Sequence, residues 1–404
     1  MLEWRVAEGW EEPVSEATPA GPQRGRPWRR VLWALVLATV LVGALALAWT
    51  FWEGPRRYQR LLADVQATAD LELWAWQRGD PALFETLLDP AAPVAWRQQY
   101  VQAFRLFPQG ARFVRRGTPQ VQVEAVEAQD DLALVTLRVR VPDFPTGPLD
   151  YTQAFPYRYV EGRWARTAPD ERLWGATQRL TTPHFVLVYP QRDAAIVQAV
   201  ASEMEAFYAR LRVDLDLPAP GPEVWTVTLT LDPPLAPPRD APPGAVYLPS
   251  PSLALLPQGM TASSYLKLAL GRWLGRALVQ DERWTRPQSG VAVWMLPLAV
   301  GEWETVRWAG GDPSLDTDPQ RRLQHWQSLA QTGDSVPPTL SVIDYVEATY
   351  GHAALSALVR AARAGAWTWD ELTPRALGVD RDRFEAAWLG YVEAEIARLP
   401  PPAS

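Results

Sequence analysis

The rhythm of hydrophobic and polar positions changes several times along this chain, and the first change is the sharpest. Val31 to Trp52 reads VLWALVLATVLVGALALAWTFW, twenty-two positions without a charge. As a helix rising about 1.5 Å per residue, such a run covers a hydrocarbon core of about 30 Å. The pattern predicts a transmembrane helix over 31–52, with Trp33 at one headgroup level and Trp49, Phe51 and Trp52 at the other. A secretory leader would carry an apolar stretch of about 7–15 residues and end in small side chains, so this segment is expected to stay attached. Helical spacing then follows at Tyr58, Leu61, Leu62, Val65, Ala69, Leu71 and Trp74. Gly79 and Asp80 end that helix, Asp80 caps a second one opening on Pro81, and Pro93 begins a third through Trp96 and Tyr100. The period next switches to two in QVQVEAVEA, DLALVTLRVRV and YTQAFPYRYVEGRWARTAP, with hairpin turns expected at Asp130–Asp131 and Glu161–Gly162.

Charge adds an orientation. Arg24, Arg26, Arg29 and Arg30 precede the uncharged run, against Arg56, Arg57 and Arg60 after it. Positive-inside bias therefore favours a cytoplasmic N-terminus, with residues 1–30 as a flexible tail and the C-terminal domains external to the cell membrane. Membrane lipid is an expected partner through the anchor. The net charge of −7 argues against nucleic acid. With no cysteine, disulfides, Cys-ligated zinc, iron–sulfur clusters and thiol nucleophiles are all excluded. Lys267 is the only lysine, which removes Schiff-base and P-loop chemistry from most of the chain.

Helices first and an antiparallel sheet after is an α+β order. Over roughly 56–170 this order, with WQRGDPALFETLLD ending a helix and PYRYVEGRWARTAPD closing the sheet, resembles the NTF2-like (SnoaL-like) fold, which implies a cone of sheet around a long helix. Enzymes of that fold place a His, Asp or Tyr in the cone, yet this region has no histidine. Tyr151, Tyr157 and Tyr159 remain as acid–base candidates beside unplaced carboxylates. Trp74, Trp96, Tyr157 and Trp164 are the aromatics expected to line any ligand pocket, with core packing the alternative for each.

Beyond Asp170 the pattern predicts a strand at PHFVLVYP, a helix at DAAIVQAVASEMEAFYARLRVDLDLP and a strand at EVWTVTLTLD. Prolines forbid regular structure in LDPPLAPPRDAPPGAVYLP. Helices are then expected at about 262–282, 289–309, 319–332, 338–364 and 380–398. The opening TPHFVLVYP and the closing cadence YGxxxLxxLVR and LGVxxxxFEAAW resemble the peptidase MA-like (gluzincin) metallopeptidases over 172–398. That resemblance implies a zinc motif H-E-x-x-H on one helix and a glutamate ligand on a later one. The matching helix here reads SSYLKLALGRWLGRALVQ, placing Arg272, Trp273 and Arg276 where His, Glu and His belong. Guanidinium has no lone pair to donate, and indole cannot take a proton from bound water. Glu302 in PLAVGEWETV is what survives of the motif.

Arg272 and Arg276 lie four apart on one helix face, so Glu302 is expected to pair with one of them, at a cost of about 3 kcal/mol for losing the carboxylate if the pair is deeply buried. His184, His325 and His352 have no i,i+4 spacing and read as surface or cap residues. Ser250 and Ser289 lack a nucleophile-elbow context. The expected architecture is thus α+β: a single transmembrane helix, an NTF2-like cone, and a gluzincin-like α+β domain with a helical C-terminal half. No catalytic residue, metal ligand set or cofactor is assigned. The leading expectation is a membrane-anchored cell-envelope protein whose metallopeptidase-like half is inactive and binds a peptide or protein partner. The alternatives are an active metallohydrolase with an unrecognised metal site, and small-ligand binding by the NTF2-like half.

Overall fold

The computed structural model describes residues 27–106, 119–141, 149–219, 221, 224–231, 246–281, 296–310 and 340–398. Contacts divide the chain into two units, Met1–Arg60 and Leu61–Ser404. In the first, the described residues open helix α1 (Pro27–Arg78). Among the described residues no helix is long and apolar enough to cross a membrane. This corrects the expected architecture: the single transmembrane helix over 31–52 drops out of it. The orientation and location expected from the arginine flank stand on the sequence alone.

The second unit is mixed helix and sheet. The later turns of α1 are followed by α2 (Pro81–Thr86) and α3 (Val94–Leu106). Asp80 caps α2 as its spacing predicts, its Oδ1 accepting from the amides of Ala82 and Leu83 at 3.1 and 3.0 Å. Strands β1 (Gln120–Gln129), β2 (Leu132–Val141), β3 (Leu149–Val160) and β4 (Arg163–Arg166) form an antiparallel sheet in that order. Its tight turns fall where expected, with Asp130 at φ 53° and Glu161 and Gly162 at 52° and 81°. Alternation along β2 sends Ala133, Val135 and Leu137 against Val65 and Ala69 of α1, together with Tyr157 and Trp164. Gln66 of α1 also serves the sheet edge, donating to the Val121 carbonyl and accepting from the Val123 amide at a bulge in β1.

A short helix α4 (Glu171–Trp174) leads to a second sheet of β5 (Thr177–Thr181), β6 (Phe185–Pro190), β7 (Trp225–Thr230) and β8 (Val246–Pro249). β5 and β6 are antiparallel, while β6, β7 and β8 run parallel. Parallel neighbours need a crossover, and α5 (Ala194–Asp214) supplies the one between β6 and β7. Strand β9 (Leu256–Pro257) then leaves this sheet and pairs with β3 of the first, Thr152 opposite Leu256. The helices α6 (Ala262–Asp281), α7 (Leu296–Trp308), α8 (Leu340–Tyr350), α9 (Ala353–Arg363), α10 (Trp369–Leu377) and α11 (Arg381–Arg398) complete the described chain.

One apolar core joins α5 to β6 and β7 and to the helices after them, through Met204, Phe207, Leu211, Leu274, Val300 and Val346. Helices α6 and α7 approach closely because Gly275 faces Gly301, where a Cβ would lie 3.7 Å from backbone, and Gly271 faces Thr305. The helix expected over 338–364 is two helices, parted at Gly351, whose φ of 82° a helix cannot hold. That over 289–309 is described from Leu296 on, and that over 319–332 lies outside the described residues. The pattern missed α10, a helix interrupted by Pro374 and stopped by Gly378 in the left-handed conformation.

Candidate functional site

Strand β3 has an incomplete edge. β2 covers one side along Leu149–Arg158, while on the other side β4 pairs with Tyr157–Val160 and β9 with Tyr151–Thr152. Among the described residues Gln153, Ala154 and Phe155 fall between with no strand partner on that side, Pro156 accepts from the Thr167 amide at 3.0 Å, and all four line a cavity of about 240 Å³. Proline suits that position, since it carries no N–H to leave unpaired. Trp96 and Tyr100 of α3 form another part of the wall, with Thr230, Pro249, Leu253 and Tyr265 reaching it from the second half of the chain. Trp96 and Tyr100 pack against each other with their rings tilted by 32°, centroids 4.4 Å apart. Gln153 donates its amide to the Leu253 carbonyl at 3.1 Å and so ties β3 to the segment entering β9. Burial raises the pKa of both the Tyr100 and Tyr265 hydroxyls, so both stay neutral and can donate as well as accept.

A buried charge network braces this wall from behind. Arg166 of β4 donates through Nε and Nη2 to the two carboxylate oxygens of Glu72 on α1, and the Tyr157 hydroxyl donates to Glu72 Oε2 at 3.2 Å. Burial by itself would lower the arginine pKa, but the Glu72 charge together with the Tyr157 and Tyr100 hydroxyls outweighs it and the guanidinium is held protonated. The same guanidinium lies 3.8 Å from the centroid of Phe155, covering the ring that lines the cavity. A residue near the C-terminal end of α1 is thereby locked to the sheet position that shapes the site.

The aromatics expected at a pocket separate. Trp96 lines the cavity. Tyr157 and Trp164 are buried in the core between α1 and the sheet, and Trp74 is exposed with Arg78 over its ring. Tyr159 is exposed as well, and Tyr151 pairs with Pro257 of β9. Sequence reasoning missed Tyr100, Gln153, Phe155 and Tyr265. Helical and strand spacing assigned all four to elements but gave no sign that one edge of β3 stays open.

On α6 and α7, Arg272 binds the Glu302 carboxylate through Nε at 2.8 Å and Nη2 at 2.6 Å. The pair is not deeply buried, its side chains being 48% and 30% exposed. Arg276 is exposed, and Trp273 packs edge-on against Trp225 with centroids 5.5 Å apart. His184 precedes β6 and its Nδ1 meets Glu205 Oε2 at 2.7 Å. Ser250 is fully buried and donates to Asp193 Oδ2 at 2.6 Å. His325 and Ser289 lie outside the described residues.

His352 opens α9, as its position beside Gly351 suggests, but makes no capping bond through its side chain. Its Nε2 instead meets Asp214 Oδ1, at the end of α5, at 2.9 Å, and its Nδ1 lies 3.9 Å from Glu304 Oε1 on α7. Arg210 donates to the other Glu304 oxygen at 2.9 Å. Desolvation first, then the Glu304 charge, raises the Asp214 pKa to about 6. No local motif announces this trio, because it is drawn from three helices.

No protein-family model matches the chain, and no curated protein is similar to it. Solved structures of NTF2-like folds do match part of it. A protein of the NTF2-like family from Streptomyces avermitilis is 16% identical, with 27% of this chain and 91% of that one covered and a TM-score of 0.20. A protein named for the calcium/calmodulin-dependent protein kinase II association domain, from Xanthomonas campestris, is 19% identical over 25% of this chain and 79% of its own, at TM-score 0.19. A protein named Rd1NTF2 is 14% identical over 25% of this chain and 90% of its own, at TM-score 0.20. At those scores the likeness adds no argument to the helix-and-sheet arrangement described above.

Proposed function

We propose that this protein is a binding protein that holds a small, largely apolar ligand in the cavity beside β3. The observation that carries the reading is the cavity itself: about 240 Å³ walled by Trp96, Tyr100, Phe155 and Tyr265, with two neutral hydroxyls. Its size lies between an apolar cavity of about 150 Å³ that accepts benzene and the usual lower limit of about 300 Å³ for ligand pockets. One or two fused rings bearing a single hydrogen-bonding group suit it. Among the described residues no carboxylate or imidazole lines the cavity, and its polar groups are the tyrosine hydroxyls, the Thr230 hydroxyl and the Gln153 amide. Indole is a matched probe, and calorimetric titration of the full chain tests the reading. Ala154→Trp, which fills the cavity, is expected to weaken indole binding at least tenfold, and equal binding by both proteins contradicts the assignment.

A second reading is favoured by the contact between Arg272 and Glu302. In the resemblance to peptidase MA-like proteins these residues take the places of zinc ligands, and here they neutralise one another instead. The helical half is then a catalytically inactive metallopeptidase-like domain whose former groove binds a peptide or protein partner. Prolonged incubation with a denatured protein substrate is expected to leave it intact. Cleavage that Glu302→Ala abolishes would contradict that reading.

A further inference from the structure

We infer that Asp214, Glu304 and His352 form a binding site for one divalent transition-metal cation, of the Zn²⁺ or Mn²⁺ class. Each side chain offers one ligand atom, and the three atoms lie within 4.8 Å of one another. Asp214 and Glu304 are each only 2% exposed. Two carboxylates that deep are costly unless matched by positive charge and hydrogen bonds.

The partners present leave that matching incomplete. Arg210 takes Glu304 Oε2 and His352 takes Asp214 Oδ1. Among the described residues Asp214 Oδ2 and Glu304 Oε1 are buried with no hydrogen-bond partner. A protonated imidazole does not complete the cluster, because its Nδ1 stands 3.9 Å from Glu304 Oε1, too far for a hydrogen bond. A cation bound about 2.0–2.2 Å from each donor needs the three groups to draw in by under about 1 Å, and it would satisfy the unpartnered oxygens. The donor set decides the class: two carboxylates with an imidazole suit Zn²⁺ or Mn²⁺, whereas Mg²⁺ and Ca²⁺ prefer oxygen alone. The histidine side chain is 41% exposed and gives the cation a route in from solvent.

These residues are distinct from Arg272, Arg276 and Glu302 and from every residue lining the β3 cavity, so the site stands whether or not the cavity binds indole. The test is addition of Zn²⁺ to metal-stripped full-length protein by calorimetry, with Co²⁺ absorption reporting the ligand field. One equivalent per chain is expected, with an upward shift in melting temperature and a Co²⁺ band in the visible. His352→Ala is expected to weaken Zn²⁺ binding at least tenfold and abolish the Co²⁺ band, and Asp214→Asn to weaken it comparably. His184→Ala, which disrupts the other His–Glu pair, is expected to leave both readouts unchanged. Absence of uptake at millimolar Zn²⁺, or uptake that persists in His352→Ala and is lost in His184→Ala, overturns the site. His352→Ala removes a partly exposed ring, and its circular dichroism before metal addition separates loss of the ligand from loss of the fold.

Discussion

Arg272 and Glu302, thirty residues apart in sequence, meet in a two-point contact across α6 and α7, Nε and Nη2 both reaching the same carboxylate oxygen at 2.8 and 2.6 Å. Both side chains remain open to water, so screening sets the value of the contact. Exposed pairs are worth about 0.2–1 kcal/mol. Glu302→Ala is therefore expected to lower stability by no more than about 1 kcal/mol, less at high salt. A denaturant midpoint corresponding to a loss of about 3 kcal/mol would show that the pair is effectively desolvated.

What holds α6 to α7 is their close approach rather than charge. A Cβ built on Gly271 would lie 2.6 Å from both side-chain branches of Thr305, which is itself buried and donates to the Gly301 carbonyl. Gly271→Ala gains about 1 kcal/mol of helix propensity and loses about 1–3 kcal/mol to overpacking. A lower melting temperature is expected, with partial recovery when Thr305→Ala is added. A single variant as stable as the parent would mean the helices can part without cost.

The network behind the cavity wall should respond very differently to single and double substitution. Glu72→Ala leaves the Arg166 guanidinium buried without its partner, an expected loss of about 3–5 kcal/mol. Replacing both, Glu72→Leu with Arg166→Met, is expected to restore part of that loss, because no charge is then left buried and only the Tyr157 hydroxyl loses its partners. Equal destabilisation by single and double variants, measured by urea unfolding, would argue that the network is held by packing alone.

Asp193 gives a pH dependence of defined sign. It is fully buried, and burial, only partly offset by hydrogen bonds from Ser250 and Ser252, raises its pKa above the ordinary 3.8. The native state therefore keeps a proton that the unfolded chain has lost, and this residue's contribution to stability falls as pH rises from 3.8 through the folded value. Asp193→Asn should remove that slope, so the variant gains on the parent with rising pH. Urea midpoints at several pH values check this, and a gain in the opposite direction would place the carboxylate in a site that favours its charge.

The first helices and the first sheet were legible because they are local: Asp80 before Pro81, the turn residues Asp130 and Glu161, and the alternation of β2 all act within a few positions. The break at Gly351 was less so, since a glycine inside a helical period is also compatible with an unbroken helix, and only the positive φ settles it. Long-range pairings left no signal. Leu256 and Pro257 form a two-residue strand that no period can announce, yet their pairing with β3 bounds the open edge at Gln153–Phe155. The cavity depends on that pairing, which is why Trp96 was found among the expected pocket residues and Tyr265 was not. Asp214, Glu304 and His352 are separated by ninety and forty-eight positions, beyond any motif. The apolar run at 31–52 misled in the opposite way, by offering a strong local pattern that the described helices do not carry as a membrane span.

The cavity assignment is tested most directly by locating a ligand in it. Crystals of the full chain soaked with 5-bromoindole are predicted to show a bromine anomalous peak between Trp96, Phe155 and Tyr265, and no peak there in Ala154→Trp. A fully occupied peak elsewhere, with the space beside β3 unchanged, would contradict the account.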